Sequence, residues 1–192
     1  MVPADAGAAS PLAGPPIDLL DVAALGLEPG GGHERAGHVA FEPLLLGGHS
    51  YGVPSGRSAV QLRASAPPGG LHVHLIADVV LTGPCWRCLE QTAVEVPVET
   101  HTYHEYSAPD GDDLRSDYVA DDAIAVARWL RDSVAEAMPQ TILCRADCAG
   151  LCGGCGVDLN TASCSCPPPA PDARWGPLAE LAERMREPGA DD

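Results

Sequence analysis

Leu71-His72-Val73-His74-Leu75-Ile76-Ala77-Asp78-Val79-Val80-Leu81 is the stretch on which the fold turns, since Leu71, Val73, Leu75, Ala77 and Val79 recur at every second position with His72, His74, Ile76 and Asp78 between them. A period of two marks a strand with one face in a core and the other toward solvent. Cys85-Trp86-Arg87-Cys88 follows shortly, and beyond it Val94, Val96 and Val98 alternate with Glu95, Pro97 and Glu99. This second strand is confined to a sheet edge or a bulge by Pro97, which has no N–H to give to a ladder. The Cys-x-x-Cys motif therefore falls in the turn between two antiparallel strands.

Outward from this pair, strand signals cover 17–22, 39–46 and 59–64, with the central two extending over 71–81 and 92–106. Pro29-Gly30-Gly31-Gly32, Gly47-Gly48 and Pro67-Pro68-Gly69-Gly70 punctuate them. An acidic loop at 110–117 leads to an amphipathic helix predicted over 121–138. Asp121 and Asp122 suit its start, Ile124, Ala127, Leu130, Val134 and Ala137 recur at spacings of three and four, and Pro139 ends it. After the later cysteines, Pro167-Pro168-Pro169 forms a stiff spacer before Trp175 and a short helix over 177–186. Leu178, Leu181, Ala182 and Met185 make one face of that helix, and Glu180 and Arg184 are spaced for an ion pair. Residues 1–16, rich in Ala, Gly and Pro, read as disordered.

The expected architecture is α+β. A main domain over 17–148, antiparallel and β-rich in barrel or sandwich form, carries one amphipathic helix. A cysteine-rich zinc knuckle over 149–166 follows, and 167–192 supplies the spacer, the short terminal helix and an acidic tail. With 192 residues, 45% hydrophobic but only 4% aromatic including one Phe, the core must be built from Val, Leu, Ile and Ala. Such a chain gains from a staple such as a metal.

The cysteines supply candidates for that staple. Five of the eight lie in one short, glycine-punctuated stretch, Cys148-Ala149-Gly150-Leu151-Cys152-Gly153-Gly154-Cys155 followed by Cys164-Ser165-Cys166; Cys144 sits four residues before Cys148, and Cys85 and Cys88 lie upstream. Eight thiolates make two sets of four, the number a structural zinc ion takes in tetrahedral coordination. A Cys-x-x-Cys in a tight turn aims two sulfurs at one ion while turn amides donate to them, and neighbouring glycines allow the positive backbone angles a knuckle needs. One partition groups Cys85, Cys88, Cys144 and Cys148, leaving Cys152, Cys155, Cys164 and Cys166 as a second set. Alternatives put the two Cys-x-x-Cys units in one site, or build sites from three cysteines. An iron–sulfur cluster would use the same thiolates. A redox dithiol at Cys85 and Cys88 calls for a helix N-terminus at the first cysteine, whereas Leu89-Glu90-Gln91-Thr92 runs into a strand pattern.

Other candidates are blander. His72, His74, His101 and His104 read as exposed strand histidines, and Asp112, Asp113, Asp117, Asp121 and Asp122 lack the positional pattern of a calcium loop. Trp129 and Trp175 read as hydrophobic anchors. Neither a phosphate-cradling glycine loop nor a nucleophilic serine motif occurs. The chain has no lysine, and its 11 arginines face 27 acidic residues for a formal charge of −16. Two four-thiolate zinc sites would take this to about −20. A phosphate backbone is a poor match for such a surface, so a basic protein is the easier partner. No signal-peptide pattern and no apolar run of membrane-spanning length is present, which points to a cytoplasmic home with reduced thiols and no membrane partner.

Gly83-Pro84-Cys85-Trp86-Arg87-Cys88-Leu89-Glu90, an amphipathic helix ending in Pro139, Gly150-Leu151-Cys152-x-x-Cys155-Gly156-x-x-Leu159 and a late Arg174-Trp175 together resemble the YceD family of large ribosomal RNA subunit accumulation proteins, in the form found in high-GC Gram-positive bacteria. The likeness spans roughly 17–185. It implies a role in making, processing or stabilising 23S rRNA during large-subunit assembly, with no established catalytic activity. In that family some members keep only the first Cys-x-x-Cys and others have histidines where this chain has Cys164 and Cys166. The expected function is thus a zinc-binding ribosome biogenesis factor that acts by binding a basic ribosomal protein or an assembly intermediate, with no small-molecule substrate. The absence of lysine leaves direct rRNA contact without support. A thiol–disulfide oxidoreductase using Cys85 and Cys88 is the alternative from another class.

Overall fold

The alternating stretch becomes one of the two longest strands of the sheet. In the computed structural model, which describes residues 14–167 and 172–186, β6 (Gly70–Pro84) and β7 (Gln91–Glu105) form an antiparallel hairpin in unbroken register from Gly70↔Glu105 to Pro84↔Gln91. The preceding strands are β1 (Leu20–Asp21), β2 (Gly32–Ala40), β3 (Leu44–Leu46), β4 (His49–Tyr51) and β5 (Arg57–Ser65). The hairpin joins β2 and β5 in a four-stranded sheet of order β2-β5-β6-β7. β7 takes an edge, as Pro97 requires.

Alternation decides what this sheet buries. Leu71, Val73, Leu75, Ala77, Val79 and Leu81 all face the core, joined by Val60, Leu62, Val96 and Val98 from the neighbouring strands. Helix α1 (Val126–Ala137) lies on that face and buries Val126, Trp129, Leu130 and Val134, with Trp129 stacked on Tyr118 at 5.8 Å between ring centroids. Each fully buried aliphatic side chain contributes about 1.5–3 kcal/mol, so one helix suffices to close a core with few aromatics. The main domain is thus mostly antiparallel sheet with one amphipathic helix, and the cysteine-rich segment follows it. Among the described residues no helix is long and apolar enough to cross a membrane.

The hairpin β3–β4 fixes the end of β6 that carries the cysteine turn. Tyr51 Oη donates to Pro84 O at 2.7 Å, and Gly52 and Thr82 exchange backbone hydrogen bonds of 2.8 and 3.1 Å. The Tyr51 ring occupies the space a side chain at Gly83 would need. A tertiary contact therefore sets the direction in which the turn leaves the sheet.

Several expectations are corrected. The helix predicted from Asp121 begins at Val126, because Asp121 and Asp122 have φ of 48° and 56° and form the two-residue turn between β8 (Val119–Ala120) and β9 (Ala123–Ile124). Asp tolerates the left-handed region, and paired positive φ values suit a tight hairpin turn rather than a helix start. The strand expected over 39–46 divides into the end of β2 and β3, and β2 begins at Gly32 within what read as a glycine turn. Ordered structure starts earlier than residue 17, since Pro16 bridges His38 and His38 N–H donates to Pro15 O. Residues 1–13 of the segment read as disordered lie outside the described residues. So do 168–171 of the proline spacer and the tail beyond 186.

The terminal helix forms as α2 (Gly176–Arg186). Its Leu178, Leu181 and Met185 are exposed, as is Trp175, which is no anchor; Trp129 is one. The side chains of Glu180 and Arg184 lie outside the described set. His104 is buried at 4% exposure against Tyr106, not exposed, because it falls on the core side of β7 opposite Leu71.

Candidate metal centre

The six residues between β6 and β7 form a closed knuckle. Cys85 N–H donates to Glu90 O at 2.8 Å, Leu89 N–H to Cys85 O at 3.0 Å, and Arg87 N–H to Cys85 Sγ at 3.4 Å. Leu89 holds φ of 63° to close it. The second Cys-x-x-Cys repeats the same pattern residue for residue. Cys152 N–H donates to Val157 O at 2.8 Å, Gly156 N–H to Cys152 O at 2.8 Å, and Gly154 N–H to Cys152 Sγ at 3.4 Å, with Gly156 at φ of 74°. Two segments with little side-chain similarity thus adopt one backbone form that presents two sulfurs on one side.

The other four cysteines complete two tetrads. Cys85, Cys88, Cys144 and Cys148 form one, and Cys152, Cys155, Cys164 and Cys166 the other, with the sulfurs of each set within 4.8 Å of one another. Cys85 and Cys148 sulfurs are 3.8 Å apart, Cys88 and Cys144 3.6 Å, and Cys152 and Cys164 3.3 Å. Metal–sulfur bonds of about 2.3 Å in a tetrahedron put sulfurs about 3.8 Å apart, whereas a disulfide needs about 2.05 Å. All eight cysteines are free, and each tetrad is compatible with one metal ion. The partition is the first of those considered above.

The tetrads differ in surroundings. Cys85, Cys88 and Cys148 are buried with Leu143 and Leu151 packed against them, and only Cys144 is exposed. In the second tetrad Cys155, Cys164 and Cys166 are exposed and Cys152 half-buried. Burial pushes the Cys85 thiol up, but the Cys88 and Arg87 amides outweigh it and hold it at about 6. The Gly154 and Cys155 amides hold Cys152 at about 6. Desolvation by the neighbouring sulfurs and loop, and then the Cys88 sulfur, raise the otherwise exposed Cys144 to about 12, and the Cys155 and Cys152 sulfurs raise Cys166 to about 11. In each set one thiolate forms readily and the repulsion of negative sulfurs resists the last. A bound dication removes that resistance.

Two residues that sequence reasoning passed over tie the far cysteines to the hairpin. Arg87 Nη1 donates to Cys148 O at 2.9 Å while Arg87 O accepts from Leu151 N–H at 3.0 Å. Gly150, at φ of 77°, lies under it, and a Cβ there would be 3.0 Å from Arg87 O. Asn160 Nδ2 donates to Cys148 Sγ at 3.5 Å, and its Oδ1 accepts from Ala149 N–H and Arg145 Nη2, both at 2.8 Å. Arg87 was visible inside the Cys-x-x-Cys, but nothing in the spacing of Asn160 announces its role.

A four-stranded antiparallel sheet whose hairpin tip gathers a cysteine tetrad defines a thiolate-clasped α+β protein. The family model described as "Large ribosomal RNA subunit accumulation protein YceD" matches residues 73–182, more than half of the chain, and the chain belongs to this family. A homologue of that name from the chloroplast of Arabidopsis thaliana is 34% identical over 64 residues, which are 33% of this chain and 20% of that protein. The chain thus spans only a fifth of the length of this relative. Uncharacterised proteins of Mycobacterium tuberculosis and Mycobacterium bovis are each 28% identical over 167 residues, covering 84% of this chain and 80% of theirs. No solved structure matches.

Proposed function

We propose that this protein is a zinc-binding ribosome biogenesis factor that supports accumulation or processing of 23S rRNA and assembly of the large subunit. The observation that carries the reading is membership of a family described by large ribosomal RNA subunit accumulation, joined to a tetrad that clasps the longest hairpin. Zinc fits both tetrads, since it takes four thiolates in a closed structural site. The ion would be held by Cys85, Cys88, Cys144 and Cys148 in the first and by Cys152, Cys155, Cys164 and Cys166 in the second.

The protein acts by binding rather than by chemistry, in the cytoplasm. Cys85 sits at a strand turn, buried beside Cys148, which favours a clasp over an accessible dithiol. With a charge of −16 and no lysine, the surface suits a basic ribosomal protein or an assembly intermediate bearing one, for which opposite charge speeds encounter. The test is depletion of the protein in its own host, followed by measurement of 23S rRNA and large-subunit particles and by rescue. Loss of 23S rRNA relative to 16S, restored by wild type but not by Cys85→Ser/Cys88→Ser, is the expected result. Unchanged rRNA and subunit profiles would overturn it.

A further inference from the structure

The four-stranded sheet has one face in the core and one that no described element covers, and the open face departs from the usual polar pattern. β5 and β6 pair only from Ser65↔His72 to Gln61↔Ile76, so their ladder stops while both strands continue. A depression of about 350 Å³ lies at that gap, lined by Ala36, Ala59, Gln61, Ile76 and Asp78 among others. A second, of about 310 Å³, adjoins it across Asp78 and is lined by Val80, Glu95 and Pro97. The two share Asp78 and form one trough over β2, β5, β6 and β7. Its outward side chains include Ala36, Ala59, Ile76, Val80 and Pro97, where a merely solvated face would carry polar groups.

Carboxylates outnumber free arginines along this trough. Asp78 and Glu95 are exposed and form no ion pair among the described residues, and Glu99 on the neighbouring rank meets only His74, at 3.1 Å. Of the two arginines on this face of β5, Arg63 is occupied by Glu34 at 2.9 Å, and Arg57, beyond Ala59 at the start of the strand, forms no ion pair among the described residues. An apolar floor with unpaired carboxylates repels phosphates and also a second copy of this acidic chain. It suits a segment of a protein that sets apolar side chains between arginines or lysines.

We infer that this trough is the docking surface for a basic, apolar-bearing segment of a protein partner. The inference rests on the reading of the function as binding a basic protein, and it names where that partner sits. The acidic loop around Asp113 and Asp117 is then a bystander, although its charge is as high.

Purified proteins of the large ribosomal subunit, each tested singly against the labelled full-length chain, provide the probe. Wild type is expected to bind at least one basic member. Asp78→Arg/Glu95→Arg should weaken that complex about thirtyfold or more, and the uncharged Asp78→Asn/Glu95→Gln about fivefold. Asp113→Arg/Asp117→Arg, with the same change of net charge, should weaken it less than about threefold. Equal loss in the two arginine variants, with circular dichroism and metal content unchanged, would reduce the attraction to diffuse charge and overturn the docking site while leaving the basic partner standing. Binding of no basic protein by wild type would overturn the functional reading and the site with it. Self-association of wild type that the Asp78→Arg/Glu95→Arg change abolishes would replace the partner by a second copy and also overturn it.

Discussion

The two cysteine tetrads share one knuckle form but stand in opposite relations to the rest of the chain. The first is assembled from a hairpin tip and a segment some sixty residues away, and three of its sulfurs are buried; the second is assembled within Cys152–Cys166, and three of its sulfurs are exposed. Closing a loop between Cys88 and Cys144 constrains the unfolded chain far more than closing one between Cys155 and Cys164, because loop entropy grows with length. Burial adds to this, since a ligand lost from the first tetrad leaves polar sulfur inside an apolar pocket. One tetrad is part of the fold of the main domain, and the other organises only its own loop.

The largest effect that separates them is on stability. Cys148→Ser should lose one metal ion per chain and lower the melting temperature of the main domain by more than about 10 °C, or prevent soluble folding, since metal-binding energy is folding energy where the site does not pre-exist in the unfolded chain. Cys155→Ser should also lose one ion yet shift melting by less than about 3 °C. Elemental analysis and calorimetry on both variants make the measurement, and equal shifts would erase the distinction.

Metal exchange should follow the same order. A chromogenic chelator is expected to draw the first equivalent of metal from the exposed tetrad, at least about tenfold faster than the second, because local opening costs less where few buried contacts hold the site. Masked thiol counts after each phase identify which cysteines were freed.

In metal-free protein the pH dependence of alkylation distinguishes sulfurs within a tetrad. Cys152 is depressed from 9.0 to about 6, so its thiolate is populated from pH 6 upward and should alkylate at a nearly constant rate between pH 7 and 9. Cys166 is raised to about 11 and should stay slow across the same range. Mapping modified peptides by mass against pH tests this, and a Cys152 rate that climbs tenfold per unit through pH 8 would contradict it.

Asn160 reaches from the second loop to Cys148 Sγ and to the Arg145–Ala149 segment. Asn160→Ala should cost about 1–3 kcal/mol by leaving those donors without their acceptor, and it should speed metal loss from the first tetrad, which denaturant unfolding and chelator kinetics would show. The smallest effect concerns the shared φ. Leu89 occupies in the first knuckle the position Gly156 holds in the second, at φ of 63° against 74°. Gly156→Ala should destabilise its knuckle by about 1 kcal/mol, whereas Leu89→Gly should be neutral or slightly favourable. Metal affinity of the two variants reads out that asymmetry.

Much of this was legible from residues alone. Alternation over 71–81 and 94–99 gave the hairpin, Pro97 gave its edge, and the turn between them gave the first Cys-x-x-Cys its position. Asp121 and Asp122 misled, because acidic residues before an amphipathic run suit a helix start and a left-handed turn equally well in sequence, and β1 pairing with β9 favours the turn. His104 misled because the face on which it lies follows from its register with Leu71, which lies across the hairpin.

The sequence by itself determined the ligand chemistry and the local form of both knuckles, since side-chain period, proline, glycine and Cys-x-x-Cys spacing act through neighbours a few residues away. Only the tertiary structure decided which distant cysteines join Cys85 and Cys88, why one tetrad is buried and the other open, and that Arg87 and Asn160 bind them. Those outcomes depend on Tyr51 docking under Gly83, on the returning segment meeting the hairpin tip and on the β5–β6 ladder ending at Gln61↔Ile76. Contacts across long loops are selected by packing and hydrogen-bond satisfaction, which no local pattern encodes.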